Sequence, residues 1–274
     1  METHTKEERE KGKELSYEEM QDFFERTLKL ITPPAAVKLV MVEEKKPTGP
    51  ASNVYPITFC QGVVIARQGG YSLYLEKETI SCYHARIAFG LGTEEELEQD
   101  IERAIATTVG YYAPTREMAS KIVMNKVRIP PGKVKGVCVA PLAKAQFVPD
   151  ALIFTCFPWQ AAYLTNGYLY MTAEVPMHFE TTVNSLVCAN SVGVAAWKKK
   201  INCSTACTGG RAFGGTESTE VYWAIPWEKV SILIEGLKER SLRSPYPSLI
   251  SISIPAPSLA THFFKKKEEE KAKK

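Results

Sequence analysis

The chain predicts an α/β fold, with α+β as the alternative: a mixed sheet flanked by helices. Apolar runs at 36–42, 134–140 and 151–156 have the length and β-branched content of buried strands. Capped segments with apolar residues at helical spacing lie between such runs. Strands and helices alternate, but not regularly enough to demand a fully parallel sheet. With 274 residues, 45% hydrophobic and 24% charged, the chain is long enough to bury one large core.

In chain order, Ser16 with Glu19 forms a capping box for a first helix carrying Met20, Phe23, Phe24, Thr27, Leu28 and Ile31 on one face. Pro33 and Pro34 stop it. A strand at 36–42 leads to a surface loop at 45–52 with Pro47, Gly49 and Pro50. A helix over 59–67 ends at Gly69 and Gly70, and a strand at 71–75 follows. Thr93 and Glu96 cap a helix carrying Leu97, Ile101, Ala104, Ile105 and Thr108, and another helix covers 115–125. After the turn Pro130-Pro131-Gly132, strands at 134–140 and 151–156 precede a helix opened by Pro158. A strand at 219–225, Pro226 and a helix at 227–237 complete the domain. The expected organisation is a disordered N-terminus (1–15), one compact domain (16–240) with related halves at 36–110 and 134–237, an extension (241–264) and a disordered charged tail (265–274).

A net charge of +3 implies no nucleic-acid partner. The start of the chain has no apolar h-region, and the longest apolar stretch, 151–164, is shorter than the ~20 residues of a membrane span and contains Pro158. A cytoplasmic protein is expected. Its seven cysteines are then reduced thiols, metal ligands or catalytic groups rather than a disulfide framework. Cys138 and Cys156, inside apolar strands, read as small buried hydrophobes.

Two segments look alike: Phe59-Cys60-Gln61, then Gly70-Tyr71, then Cys82; and Pro158-Trp159-Gln160, then Gly167-Tyr168, then Cys188. Each reads as a helix, a glycine stop, a strand opening with tyrosine and a cysteine starting another helix (82–89 and 188–197). This predicts two pseudo-twofold-related strand–helix repeats, with Cys82 and Cys188 equivalent. At a helix start a thiol pKa is expected to fall.

Cys60-Gln61, Ala66-Arg67, Gly69, Cys82 and Leu91-Gly92 in the first half, with Pro149-Asp150 through Pro158, Cys207-x-Gly209-Gly210-Arg211 and Glu220 through Ile225-Pro226 in the second, are a pattern that resembles the uncharacterised ArCR family of archaea and anaerobic bacteria. The resemblance covers roughly residues 36–237. It implies occurrence in anaerobes rich in iron–sulfur and metal enzymes, and it implies no activity. Arg67 is among the residues carrying it. Tyr83 and His84 follow Cys82 where the family pattern has small residues.

The most site-like stretch runs from Cys203 to Gly215, with two thiols, four glycines, hydroxyls and Arg211. Gly209, Gly210 and Arg211, with Arg67, are candidates for holding an anion or the sulfides of a cluster. No Lys-Ser or Lys-Thr follows the glycines, so this is not a phosphate-binding Walker loop. Cys60, Cys82, Cys188, Cys203 and Cys207 are the candidate ligands of an iron–sulfur cluster or another thiolate-bound metal. His84 reads as a surface or packed histidine, and Tyr163, Tyr168, Tyr170, Trp197, Tyr222, Trp223 and Trp227 as core or pocket lining. The leading expectation is a metal- or iron–sulfur-binding protein of anaerobic metabolism with a redox or cofactor-handling role. The alternatives are a metal-free module binding a small anion at the 209–215 loop, or a structural accessory subunit. The expected partners are a small molecule or metal cofactor, with a homo-oligomer or a complex subunit compatible with the sequence.

Overall fold

Ser16 and Glu19 exchange the two hydrogen bonds of a capping box at the start of α1 (Tyr17–Leu28). Its buried face, Met20, Phe24 and Leu28, turns onto the sheet, where the Phe24 ring meets Phe154 edge-on at 4.9 Å. The computed structural model describes residues 15–52, 55–174, 177–178 and 182–241. The expectations for residues 1–14 and 242–274 lie outside them, and the contacts divide the chain after Arg240.

The sheet has eight strands: β1 (Ala35–Met41), β2 (Ala51–Ser52), β3 (Leu73–Glu76), β4 (Val134–Pro141), β5 (Ala151–Cys156), β6 (Met177–His178), β7 (Ile201–Thr205) and β8 (Val221–Pro226). Their spatial order is β2-β3-β4-β1-β5-β8-β7-β6. The two edge pairs, β2 with β3 and β6 with β7, are parallel, and every other pair is antiparallel. The protein is thus a mixed α/β structure. Its strands alternate between two covered faces, which is why they read as continuous apolar runs.

On one face lie α2 (Phe59–Gly69), α3 (Tyr83–Phe89) and a π-helix (Leu186–Trp197), packed on Val37, Leu39, Val137, Val139, Ile153 and Tyr222. On the other lie α1 and α6 (Pro158–Thr172), whose Thr165 accepts from the Trp223 indole at 3.1 Å. Helices α4 (Glu94–Thr108) and α5 (Arg116–Met124) pack against α3 and each other through Ile87, Ala104, Ile105, Ala119 and Val123. A short α7 (Thr208–Ala212) and α8 (Val230–Ser241) follow, and 3-10 turns lie at Lys77–Thr79, Leu142–Lys144 and Trp227–Lys229.

Two sequence expectations are corrected. No strand opens at Tyr168, because α6 runs through Gly167 and ends only at Ala173, whose φ is 53°. Gly167 is not a stop but a crossing point: a Cβ there would lie 2.6 Å from Leu237 Cδ2 of α8. The residue matches behind the proposed repeat are not confirmed either. Gln61 and Gln160 both accept from their N-cap amides, at 2.8 and 2.6 Å, but Tyr71 is exposed irregular chain while Tyr168 is buried in a helix. What is shared is strand order. Each group of four strands runs second, third, fourth, first from its edge inward, and the groups meet where β1 pairs with β5.

A Cβ on Gly236 would lie 1.9 Å from the Gly167 carbonyl oxygen, so α8 approaches α6 at backbone distance. Gly236→Ala is expected to cost about 1–3 kcal/mol through overpacking. A thermal melt then shows a fall of roughly 2–10 °C in Tm; an unchanged Tm would contradict the crossing.

Candidate functional site

A cavity of about 610 Å³ opens where four connections converge. The first turn of α2 contributes Thr58, Phe59 and Cys60, and the start of α3 contributes Cys82, Tyr83 and His84. The approach to the π-helix contributes Asn184, Ser185, Val187 and Cys188, and α7 contributes Cys207, Thr208 and Gly209. Tyr111, Tyr112 and Phe213 stand around these, with Tyr111 and Phe213 78% and 58% exposed.

Each cysteine is held by its own backbone context. Cys60 lies within the Thr58–Gln61 capping box, with its Sγ 3.2 Å from Thr58 Oγ1. Cys82 is the N-cap of α3, held in place because Arg86 forks onto Asp100 with two 2.7 Å bonds and donates to the Ile80 carbonyl at 2.8 Å. Cys207 is the N-cap of α7 and accepts from the Gly210 amide at 3.4 Å. Cys188 enters from the π-helix, its thiol directed at the Ser185 carbonyl at 3.6 Å. Gly214 lets α7 close against α2, since a Cβ there would fall 2.9 Å from Cys60 Cβ.

The thiols are electrostatic neighbours: Cys82, Cys207 and Cys60 act on Cys188, Cys207 and Cys82 act on Cys60, and Cys207 acts on Cys82. A Cβ on Gly209 would sit 3.8 Å from Cys60 Sγ and 3.9 Å from Cys207 Sγ. Burial, aided by the neighbouring thiols, pushes Cys60 up to about 11, raises Cys82 and drives Cys188 well above the ordinary thiol range. The expected lowering at helix starts is therefore reversed at Cys82 and Cys188. Helix α3 has only seven residues, Cys188 lies inside its helix, and desolvation outweighs the amides each sulfur meets.

Cys203 does not join this group. It sits opposite Trp223 on the β7–β8 ladder and its electrostatic neighbour is Cys156. The adjacent Ser204 turns to the π-helix, meeting Ser191 Oγ at 3.0 Å, so strand alternation sends Cys203 to the other face. Cys138 and Cys156 are buried in β4 and β5. Arg67 is away from the cavity wall: its guanidinium donates to Thr32 Oγ1 at 3.2 Å and the Gly215 carbonyl at 2.8 Å, with Glu220 at 3.5 Å, tying α2 to the chain after α7. Arg211 is exposed and lines no part of the cavity, Gly210 is buried in α7, and Gly209 lines the cavity. The amides of Gly210, Arg211, Phe213, Gly214 and Thr216 donate to acceptors within this segment. Among the described residues, no three His, Cys, Asp or Glu side chains converge closely enough for a single metal ion.

Sequence reasoning did not single out Lys126, Asn184 or Ser185. Lys126 is 8% exposed and donates to Asn184 Oδ1. Burial brings it down to about 8 against the opposing pull of Cys188, Cys207 and Cys82. Burial, with Lys126 nearby, brings His84 down to about 3, so it is a neutral imidazole. No sequence spacing links Lys126 to Asn184, since the two meet only in the folded chain.

The family described as Uncharacterised ArCR matches residues 24–236, and the chain belongs to it. An uncharacterised protein of Methanocaldococcus jannaschii is 25% identical over 206 residues, spanning 75% of this chain and 87% of that one. No solved structure matches the chain.

Because His84 titrates near 3 when folded and near 6.5 when unfolded, the unfolded chain binds the extra proton between those values. The stability contribution is complete above 6.5 and is lost as pH falls towards 3. Urea midpoints at pH 7.5 and 5 should fall further in the native chain than in His84→Gln; parallel falls would contradict a buried neutral imidazole.

Proposed function

We propose that the protein binds an iron–sulfur cluster through Cys60, Cys82, Cys188 and Cys207, and serves a cytoplasmic redox or cofactor-handling role. One observation carries the reading: four of the seven cysteines, from four separate connections, meet at one cavity as electrostatic neighbours. Cysteines kept only as small hydrophobes have no reason to gather, and neighbouring thiols raise the cost of ionising Cys60, Cys82 and Cys188. A soft cationic centre reverses that cost, because thiolates bound to iron neutralise its charge. The occurrence in anaerobes that the family resemblance implies is in keeping with this. No helix among the described residues is long and apolar enough to cross a membrane.

Protein purified without oxygen should carry about four iron and four acid-labile sulfide per chain and absorb visible light. Cys60→Ser, Cys82→Ser, Cys188→Ser and Cys207→Ser should each lose iron, and Cys207→Ser should lose stability with it, because metal binding contributes to folding. Cys203→Ser should keep its iron. Loading should release protons and strengthen as pH rises, since the thiols start protonated. Absence of iron and sulfide, or equal loss in Cys203→Ser, would overturn the reading.

A further inference from the structure

The cavity wall at Asn184 and Ser185 is chemically unlike the rest, and Lys126 lies behind it, lining not this cavity but a small pocket that His84 and Ser185 also line. Lys126 is a buried ammonium whose recorded hydrogen bond goes to a neutral amide oxygen, and no carboxylate among the described residues pairs with it. A buried cation without an anion is costly, and that cost persists unless a counter-charge arrives. In front of it stand Asn184 and Ser185, both buried and both lining the cavity. Asn184 Oδ1 is taken by Lys126, so its Nδ2 hydrogens are what it can offer a ligand. Ser185 Oγ is buried with no hydrogen-bond partner, on a non-glycine residue held at φ 64°. Strain and an orphaned hydroxyl together mark a site prepared for something absent from the protein itself.

The remaining wall decides what that is. Among the described residues, no Asp or Glu lines the cavity. Two of its three tyrosine hydroxyls are occupied by neighbouring threonines, Tyr83 with Thr107 at 2.8 Å and Tyr112 with Thr208 at 2.6 Å. This leaves ring faces for the ligand, and exposed Tyr111 and Phe213 extend them at the mouth. A single cation matches a single negative charge, and an amide plus a hydroxyl match two acceptor oxygens.

We propose that this cavity binds a small monocarboxylate with an apolar, ring-sized body, its carboxylate facing Asn184 and Ser185 with Lys126 behind them and its body against the aromatic mouth. The site goes beyond the cluster reading and does not require it. Isothermal titration of the full chain with benzoate, 3-phenylpropionate and uncharged benzamide tests it. At least one of the carboxylates should bind about ten-fold or more tighter than benzamide, and Lys126→Met should remove that preference while leaving benzamide unchanged. Ser185→Ala should weaken carboxylate binding several-fold. Benzamide binding as well as both acids, no binding of either acid, or a folded Lys126→Met that binds them as the native chain does would overturn the proposal. If Lys126→Met does not fold, Ser185→Ala and the acid-to-amide ratio on the native chain decide. Iron assayed in the same samples reports separately on the cluster.

Discussion

The run from Leu186 to Ala196 is buried without a break, and that burial governs how the rest of this face is built. An apolar, small-residue helix laid across a sheet has no water to satisfy its backbone, so its amides must be paired within the protein. Here they close five residues back, as Asn190 does on the Ser185 carbonyl at 3.3 Å and Lys198 on Gly193 at 3.2 Å. Sheet side chains join in: Asn202 donates to the Asn190 carbonyl at 2.7 Å, and Ser191 meets Ser204. The π-helix thereby holds Cys188 and the strained Ser185 facing α2, α3 and α7.

That placement brings two demands into opposition. Helix starts offer the amides that favour a thiolate, whereas the apolar surroundings penalise it, and burial prevails at Cys60, Cys82 and Cys188. The same burial neutralises His84 and strips Lys126 of water. The cavity and its surroundings thus gather groups that are costly to bury.

Much of the fold was legible because local rules and global packing agree there. The hydroxyl caps Ser16, Thr93 and Thr115 mark α1, α4 and α5, and the apolar run 151–156 is β5 to the residue. The misreadings have one physical root: glycine and cysteine act through partners distant in sequence. Gly167 looked like a helix stop and is a helix crossing. The start of the π-helix carries no capping motif, since Ser185 makes no side-chain cap hydrogen bond there. At the site, Cys60, Cys82 and Cys188 were legible as thiols near helix starts and Cys207 as one beside a glycine loop, but Cys203 is separated from them by strand parity, which depends on knowing which neighbour faces the core. Lys126 and Asn184 are 58 residues apart and meet only in the folded chain.

The central claim, that four thiols from separate connections act as one ligand set, is tested most directly by iron-edge anomalous diffraction from crystals grown without oxygen. The account predicts a strong anomalous peak inside the cavity, bounded by the sulfurs of Cys60, Cys82, Cys188 and Cys207. A cavity without anomalous density and with all four cysteines reduced, or a peak beside Cys203 on the opposite face of the sheet, would contradict it.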